Sequence, residues 1–390
     1  MNRMKLGEIL SVKHGWAFKG EYFAEDGEQS ILTPGNFFEK GGFKPNNGKE
    51  RYYTGTYPKE YLCHKGDLIV AMTQQAEGLL GSTALVPENN KYLHNQRIGL
   101  ITCDEKRLNK LFAYYLFMTK SVREQLERSS SGTKVKHTSP EKIYDVEVEI
   151  PDVISQQKIA NLLWSIDEKI ANNNAINDNL EQQAKLLYNY WFIQFNFPDE
   201  NGNPYHSSGG QLVWNKNLQQ EIPQDWRSGN LYDIADYING IACQKYRPSD
   251  EEHSLPVVKI REMNGGITND TERVSSTIPA KNIISSGDIL FSWSASLEVI
   301  MWYGVDAGLN QHIFKVVPKS YFSSEYVYLQ LSEYLIHFIK IAEARKTTMG
   351  HITSEHLQDS HIILPPANII KNFSEYVRPI YQMKKQIANE

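Results

Sequence analysis

The sequence predicts an α+β protein: two similar domains of mixed strands and helices, separated by long α-helical spacers that pack as an antiparallel coiled coil. Three observations predict it. The chain repeats itself once at about half its length. Each repeat mixes short β-like runs with one helical stretch. An apolar seam at helical spacing follows each repeat.

The repeat rests on four pairs of matching segments. Lys65-Gly66-Asp67-Leu68-Ile69-Val70-Ala71 returns as Ser286-Gly287-Asp288-Ile289-Leu290-Phe291-Ser292, and Leu93-His94-Asn95-Gln96 returns around Leu309-Asn310-Gln311. His137 with Glu141 returns as His351 with Glu355, and Ile150-Pro151 as Leu364-Pro365. The offset is 221 residues at Asp67/Asp288, 215 at Gln96/Gln311, and 214 at both His137/His351 and Pro151/Pro365. Chance matches would scatter; an offset that drifts and then settles is what loop insertions on a shared scaffold produce.

Within each repeat, Gly66–Val70 and the alternating Val146–Ile150 read as strands, separated by turns at Gly41-Gly42 and Gly265-Gly266. One helical stretch is expected at about 109–128 and its counterpart at 324–344. The expected domains are 1–151 and 227–365.

After Pro151 the period changes. Ile159, Leu163, Ile166, Ile170, Leu180, Ala184, Leu187 and Trp191 fall on alternating three- and four-residue steps, with Asn173 and Asn177 in the two missing places. This predicts a central spacer over 152–195, with a helix from about Ser155 to Gln194, roughly 60 Å long at 1.5 Å per residue. A Pro-, Gly- and Asn-rich linker follows over 196–226. The distal spacer, 366–390, carries Ile370, Phe373, Val377, Ile380 and Ile387, with Lys384 interrupting the seam and Pro379 expected to kink it. Each seam alone is also what ordinary core packing produces. Each helix is the nearest candidate partner for the other's seam, and if they pair Asn173 and Asn177 fix the register. The distal helix is expected to be short or truncated, so an antiparallel pair leaves part of the central seam uncovered: either the chain is cut short there or another protein completes the helix pair.

The bulk numbers narrow the class. Of 390 residues, 41% are hydrophobic and 22% charged, which excludes a disordered chain. A net charge of -5 counts against a free-standing nucleic-acid binder and directs attention to local basic patches. Cys63, Cys103 and Cys243 are odd in number and form no CxxC, as expected of buried thiols in a reducing compartment. With no secretory signal and no long apolar run, a cytoplasmic location is expected.

The linker FNFPDENGNPYHSSGGQLVWN…EIPQDW resembles the central link of type I restriction–modification specificity subunits. The run Gly287–Ser294, followed by Leu309–Phe314, is similar to their second recognition domain. His14-Gly15-Trp16-Ala17-Phe18 and Asn239-Gly240-Ile241-Ala242 fit the two domain openings. The resemblance covers nearly the whole chain. It implies a non-catalytic subunit with two target recognition domains, each reading one half of a split, asymmetric site on double-stranded DNA. It implies helices that set the gap and dock two methyltransferase (modification) subunits, with restriction/translocase subunits joining for restriction. No cofactor is implied for this chain: S-adenosylmethionine belongs to the methyltransferase subunits, and ATP and Mg to the restriction subunits.

Base reading needs Arg, Lys, Asn and Gln, and phosphate contact needs cations and small donors. The first repeat offers Trp16, Lys19, Thr73, Gln74, Gln75, Asn95, Gln96, Arg97, Lys134, Lys136 and His137. The second offers Gln244, Lys245, Arg247, Lys259, Arg261, Ser294, Ser296, Asn310, Gln311, Arg345, Lys346 and His351. The Asn-Gln step and the paired His occur in both copies, so scaffold duty suits them as well as recognition. The unshared Gln74, Gln75, Arg247 and Arg261 are better candidates for specificity.

Catalytic motifs are missing. No P-loop, glycine-rich cofactor loop or Asn-Pro-Pro-aromatic tetrad occurs. Pro151-Asp152 with Asp167-x-Lys169 mimics a nuclease signature, but two residues apart on a helix the side chains diverge. His351, Glu355 and His356 lack a further ligand at suitable spacing, so no metal is expected. A stand-alone regulator with two readers and a hidden nuclease are the alternatives.

Overall fold

The computed structural model describes residues 2–46, 48–74, 78–132, 135–249, 253–294, 296–344 and 352–390. The chain divides into two compact units, Met1–Ile170 and Ala171–Glu390. The division falls inside the central helix, so each end of that helix packs with a different unit.

In the first unit, a four-stranded antiparallel sheet runs Leu10–His14, Ile98–Cys103, Leu68–Ala71, Thr83–Leu85. Leu68-Ile69-Val70-Ala71 is an unbroken apolar run because it is an inner strand covered on both faces. Leu68 and Val70 face Phe117, Val122 and Leu126, whereas Ile69 and Ala71 face Leu32, Phe37 and Leu79. A smaller sheet joins Phe23–Ala24, Tyr52–Tyr53, Ser30–Ile31 and Tyr92–Leu93, the last two in parallel. The alternating Glu147–Ile150 strand closes the unit by pairing with Asn2–Lys5.

The second unit repeats this plan. Its sheet runs Ala235–Asn239, Ile313–Pro318, Ile289–Ser292, Glu298–Met301, again antiparallel, and Val257-Val258 pairs in parallel with Gly308-Leu309. The expected two-domain α+β class is therefore what the chain adopts.

The single helix expected at 109–128 is instead two, Lys110–Leu116 and Lys120–Ser129. Thr119 separates them: its hydroxyl donates to the Leu116 carbonyl (2.7 Å) and accepts from Val122 N–H, ending one helix and capping the next. The counterpart Ser324–Ala344 runs unbroken.

The central helix, Val153–Tyr188, starts two residues earlier than expected because Asp152 caps it, accepting from Ser155 N–H at 3.0 Å. Its end widens into a π turn, Asn189–Ile193. That turn lets the adjacent Trp191 and Phe192 both be buried, which an undistorted α-helical face resists. The distal helix, Ala367–Ala388, continues through Pro379. Trp191 packs on Phe373 and Tyr376, while Glu181 pairs with Lys384 at 2.5 Å. High numbers meet low numbers, so the two run antiparallel. Lys384 is tolerated in the seam because Glu181 neutralises it.

The pairing covers only part of the predicted seam. Leu180, Ala184, Trp191, Phe373 and Val377 are buried, and Leu187 and Ile380 are partly so. Ile159, Ile166 and Ile170 are exposed, together with Ile154, Leu162 and Ile176. The helix instead meets the first unit through another face: Gln156 and Ala160 are buried, Trp164 lies against Tyr114, and Asp167 accepts from the Tyr115 hydroxyl at 2.7 Å. Among the described residues, Asn177 Oδ1 is buried without a hydrogen-bond partner, so that oxygen does not pin the register.

Candidate nucleic-acid interface

In each unit the chain turns sharply as it enters the strand beside the inner one, and both turns are built alike. In the first, the Asn95 side chain accepts from Arg97 N–H at 2.9 Å, and Ile98 N–H bonds the Asn95 carbonyl. In the second, Asn310 Oδ1 accepts from His312 N–H at 3.3 Å, and Ile313 N–H bonds the Asn310 carbonyl. A glycine seats on each turn. A Cβ on Gly15 would stand 2.1 Å from the Asn95 carbonyl oxygen, and one on Gly240 2.1 Å from that of Asn310. The Asn of the Asn-Gln step thus holds the turn, and the step presents Gln96 and Arg97 outward.

The first unit gathers most of its expected residues along one sheet edge. Trp16 N–H bonds His94 O, Gln96 N–H bonds Trp16 O, and Met72 N–H bonds Arg97 O. Thr73 and His137 are joined through Oγ1 and Nδ1 at 3.0 Å, and Gln74 N–H bonds Lys136 O. Lys136 is ion-paired with Glu127; Lys19 is exposed. Gln75 and Lys134 lie outside the described residues.

The second unit places Ser294 against His312 Nδ1 (3.3 Å), with Trp293 N–H bonding His312 O. Asn310 and Ser294 are buried, Gln311 is half-buried, and Gln244, Lys245, Arg247 and Ser296 are exposed. Lys259 is ion-paired with Glu272, and Arg261 with the buried Glu262 at 2.6 Å. Arg345, Lys346 and His351 lie outside the described residues.

Sequence reasoning missed one feature. Beside Asn95, Gln96 and Arg97 opens a cavity of about 860 Å³, floored by Phe18, Phe23 and Ile31 and rimmed by Lys44, Lys49 and Arg51. Four cations and one acid between residues 40 and 51 were the available signal. Among the described residues none of Lys44, Lys49, Arg51 and Arg97 has a carboxylate partner.

The edges supply amides, hydroxyls and cations but little acid–base chemistry. Burial holds the His94 imidazole down to about 4, its Nε2 lying 2.8 Å from the Ile98 carbonyl oxygen. Burial also raises the thiols, Cys63 and Cys103 to about 12 and Cys243 to about 11, so none is a ready nucleophile. Asp152 caps a helix and Asp167 serves Tyr115, roughly 22 Å further along that helix. Among the described residues no three His, Cys, Asp or Glu converge to hold a metal. Among the described residues no helix is long and apolar enough to cross a membrane.

Comparison with known proteins fits this layout. A family model described as "Type I restriction modification DNA specificity domain" matches twice, over 1–182 and 223–390. The MjaIX specificity subunit of Methanocaldococcus jannaschii is 25% identical over 70% of this chain, which spans 62% of that relative's length. The EcoBI specificity subunit of Escherichia coli is 22% identical over 99% of this chain and 81% of its own. The crystal structure of the type I system S subunit from M. genitalium superposes over the whole chain and 91% of its own, with a TM-score of 0.60 at 14% identity, a likeness of fold. With two family matches that together span most of its length, the chain belongs to the type I restriction modification DNA specificity domain family.

Proposed function

We propose that this chain is the non-catalytic DNA-reading subunit of a type I restriction–modification complex, each unit reading one half of a bipartite, asymmetric site. The observation that carries this reading is the repeated edge: one Gly–Asn turn in each unit presents a different set of side chains. Two rigid readers on a shared helix gain affinity through effective concentration and select for half-site spacing. The exposed apolar residues between Ile154 and Ile176 support docking of methyltransferase subunits, since contiguous exposed apolar faces mark interaction sites. S-adenosylmethionine would then be held by those subunits, and ATP and Mg by restriction subunits, in a cytoplasmic complex.

Methylome sequencing of cells carrying the system tests the reading. A split motif with two unrelated halves is expected. Inserting one heptad near Asn177 should lengthen the gap and leave both halves unchanged; altered bases at an unchanged gap would refute the spacer role. A stand-alone regulator predicts no methylated motif and no co-purifying methyltransferase.

A further inference from the structure

The cavity beside Arg97 differs from a groove-reading edge. Direct readout of a duplex puts a protruding helix or ribbon into a groove. A concave site works the other way: something must protrude into it. Its volume, about 860 Å³, lies within the roughly 300–1,000 Å³ typical of pockets for single organic ligands.

Its chemistry is that of an unstacked nucleotide. Phe18 and Phe23 give it aromatic faces; Phe23 remains 38% exposed, although Phe18 is anchored edge-on by Trp16 and Tyr53. Aromatic faces accept any base once it leaves the stack. Lys49, Arg51 and Arg97 are exposed cations without carboxylate partners among the described residues, suited to the flanking phosphates. Lys44 stands over Phe38, its ammonium 5.8 Å from the ring centre. Asn46, Asn95 and Gln96 line the same space with amide groups able to meet a base edge.

The second unit shows that this is no inevitable product of the fold. Ile31 N–H bonds the Arg51 carbonyl, and Val257 N–H bonds that of Glu272, both at 2.8 Å. Arg51 and Glu272 therefore hold equivalent places. The acid in the second unit is taken up by Lys259.

We propose that the first unit captures one nucleotide swung out of the DNA stack, its base against Phe18 and Phe23 and its phosphates on Lys49, Arg51 and Arg97. This rests on the DNA-reading function proposed above and adds a mode of reading to it.

The test uses the full chain in its co-purified complex and duplexes containing the mapped site. 2-Aminopurine is placed at each position of the first unit's half-site in turn. Brightening is expected on binding at one position other than the base that is methylated. Phe23→Ala should abolish that brightening and weaken binding about tenfold, in line with loss of one base–aromatic stack. Arg51→Ala should weaken binding and lower its salt dependence while Arg51→Lys retains both. Tight, site-specific binding with no such brightening overturns the nucleotide capture and leaves DNA reading intact. Brightening that survives both Phe18→Ala and Phe23→Ala also overturns it. Failure of the wild-type complex to bind any mapped site overturns the DNA-reading function itself, and the capture with it.

Discussion

Arg51 and Glu272 occupy one place in two copies of a single fold, and they carry opposite charge. Around Arg51, cations with no carboxylate partner among the described residues ring a cavity; near Glu272 the cations Lys259 and Arg261 are tied to acids. The backbone that frames these side chains is kept: Gly15 and Gly240, Asn95 and Asn310, and the capping pairs Thr33/Asn36 and Lys259/Glu262 superimpose in role. Under the proposed function, the difference means that the duplicated fold fixes where recognition would take place, while side chains on its edge would decide what is recognised. It also bears on the net charge of -5, because cations gather around the cavity of one unit despite that overall charge.

The strictest test of the shared frame is its glycine. Gly15→Ala and Gly240→Ala each drive a methyl into a carbonyl oxygen 2.1 Å away, where backbone rather than a flexible side chain must move. Each should cost about 4 kcal/mol or more, in the range reserved for severe steric conflict. Denaturant unfolding monitored in each variant checks this; if only one substitution is damaging, the two turns are not equivalent.

A second test exploits a place where the copies differ inside the core. His94 and Leu309 both offer their carbonyls to the opening segment, yet only one titrates. His94 is fully buried, and desolvation holds it at about 4 against 6.5 in an unfolded chain. The unfolded state thus binds the proton first. Stability from neutral His94 is complete above pH 6.5 and declines as pH falls toward 4, by about 3 kcal/mol in all. Thermal melts from pH 7.5 to 4.5 should show that loss, and His94→Leu should remove this part of the acid sensitivity. An unchanged slope would mean that His94 is not the responsible group.

The charge inversion itself gives the next effect. Arg51→Glu should weaken binding to the first half-site by about 1–3 kcal/mol and reduce the salt slope by about one. Glu272→Ala frees Lys259 and should strengthen non-specific binding modestly. Because both partners are over two-fifths exposed, its effect on stability stays within about 1 kcal/mol. Fluorescence anisotropy at several salt concentrations measures both. Equal and opposite responses would sharpen the comparison; no response to Arg51→Glu would end it.

Much of this was legible in the chain. The repeat, the α+β class and the helical seams follow from periodicity, because a face that must be buried leaves its mark every two or every three to four residues. The break at Thr119 was legible in principle, since Thr is a cap, but the apolar positions on either side kept a helical rhythm. The Asn-Gln step was recognisable as a shared feature, whereas its division of labour depends on a backbone turn that no single residue type specifies. The Lys44–Arg51 cations were hidden for a related reason. A cavity is made by segments far apart in sequence, here Phe18–Phe23, Lys44–Arg51 and Asn95–Arg97, and each looks ordinary alone. The ion pairs of Lys259 and Arg261 were equally invisible, as tertiary contacts decide whether a cation is free.

The smallest expected effect on stability carries the most information about assembly. Leu180 and Ile166 stand on one predicted seam, but Leu180 is 9% exposed and Ile166 is 47% exposed. Leu180→Ala should therefore cost about 2–3 kcal/mol, whereas Ile166→Ala should shift the unfolding of the isolated chain by no more than about 0.5 kcal/mol. If the exposed stripe is a dock, the order reverses for complex formation. Ile166→Ala together with Ile170→Ala should then weaken capture of the modification subunit in pull-down titrations while Leu180→Ala does so only as far as it unfolds the chain. A double variant that retains full capture would show that partners are held elsewhere, and that the stripe is a surface the helix tolerates rather than one it presents.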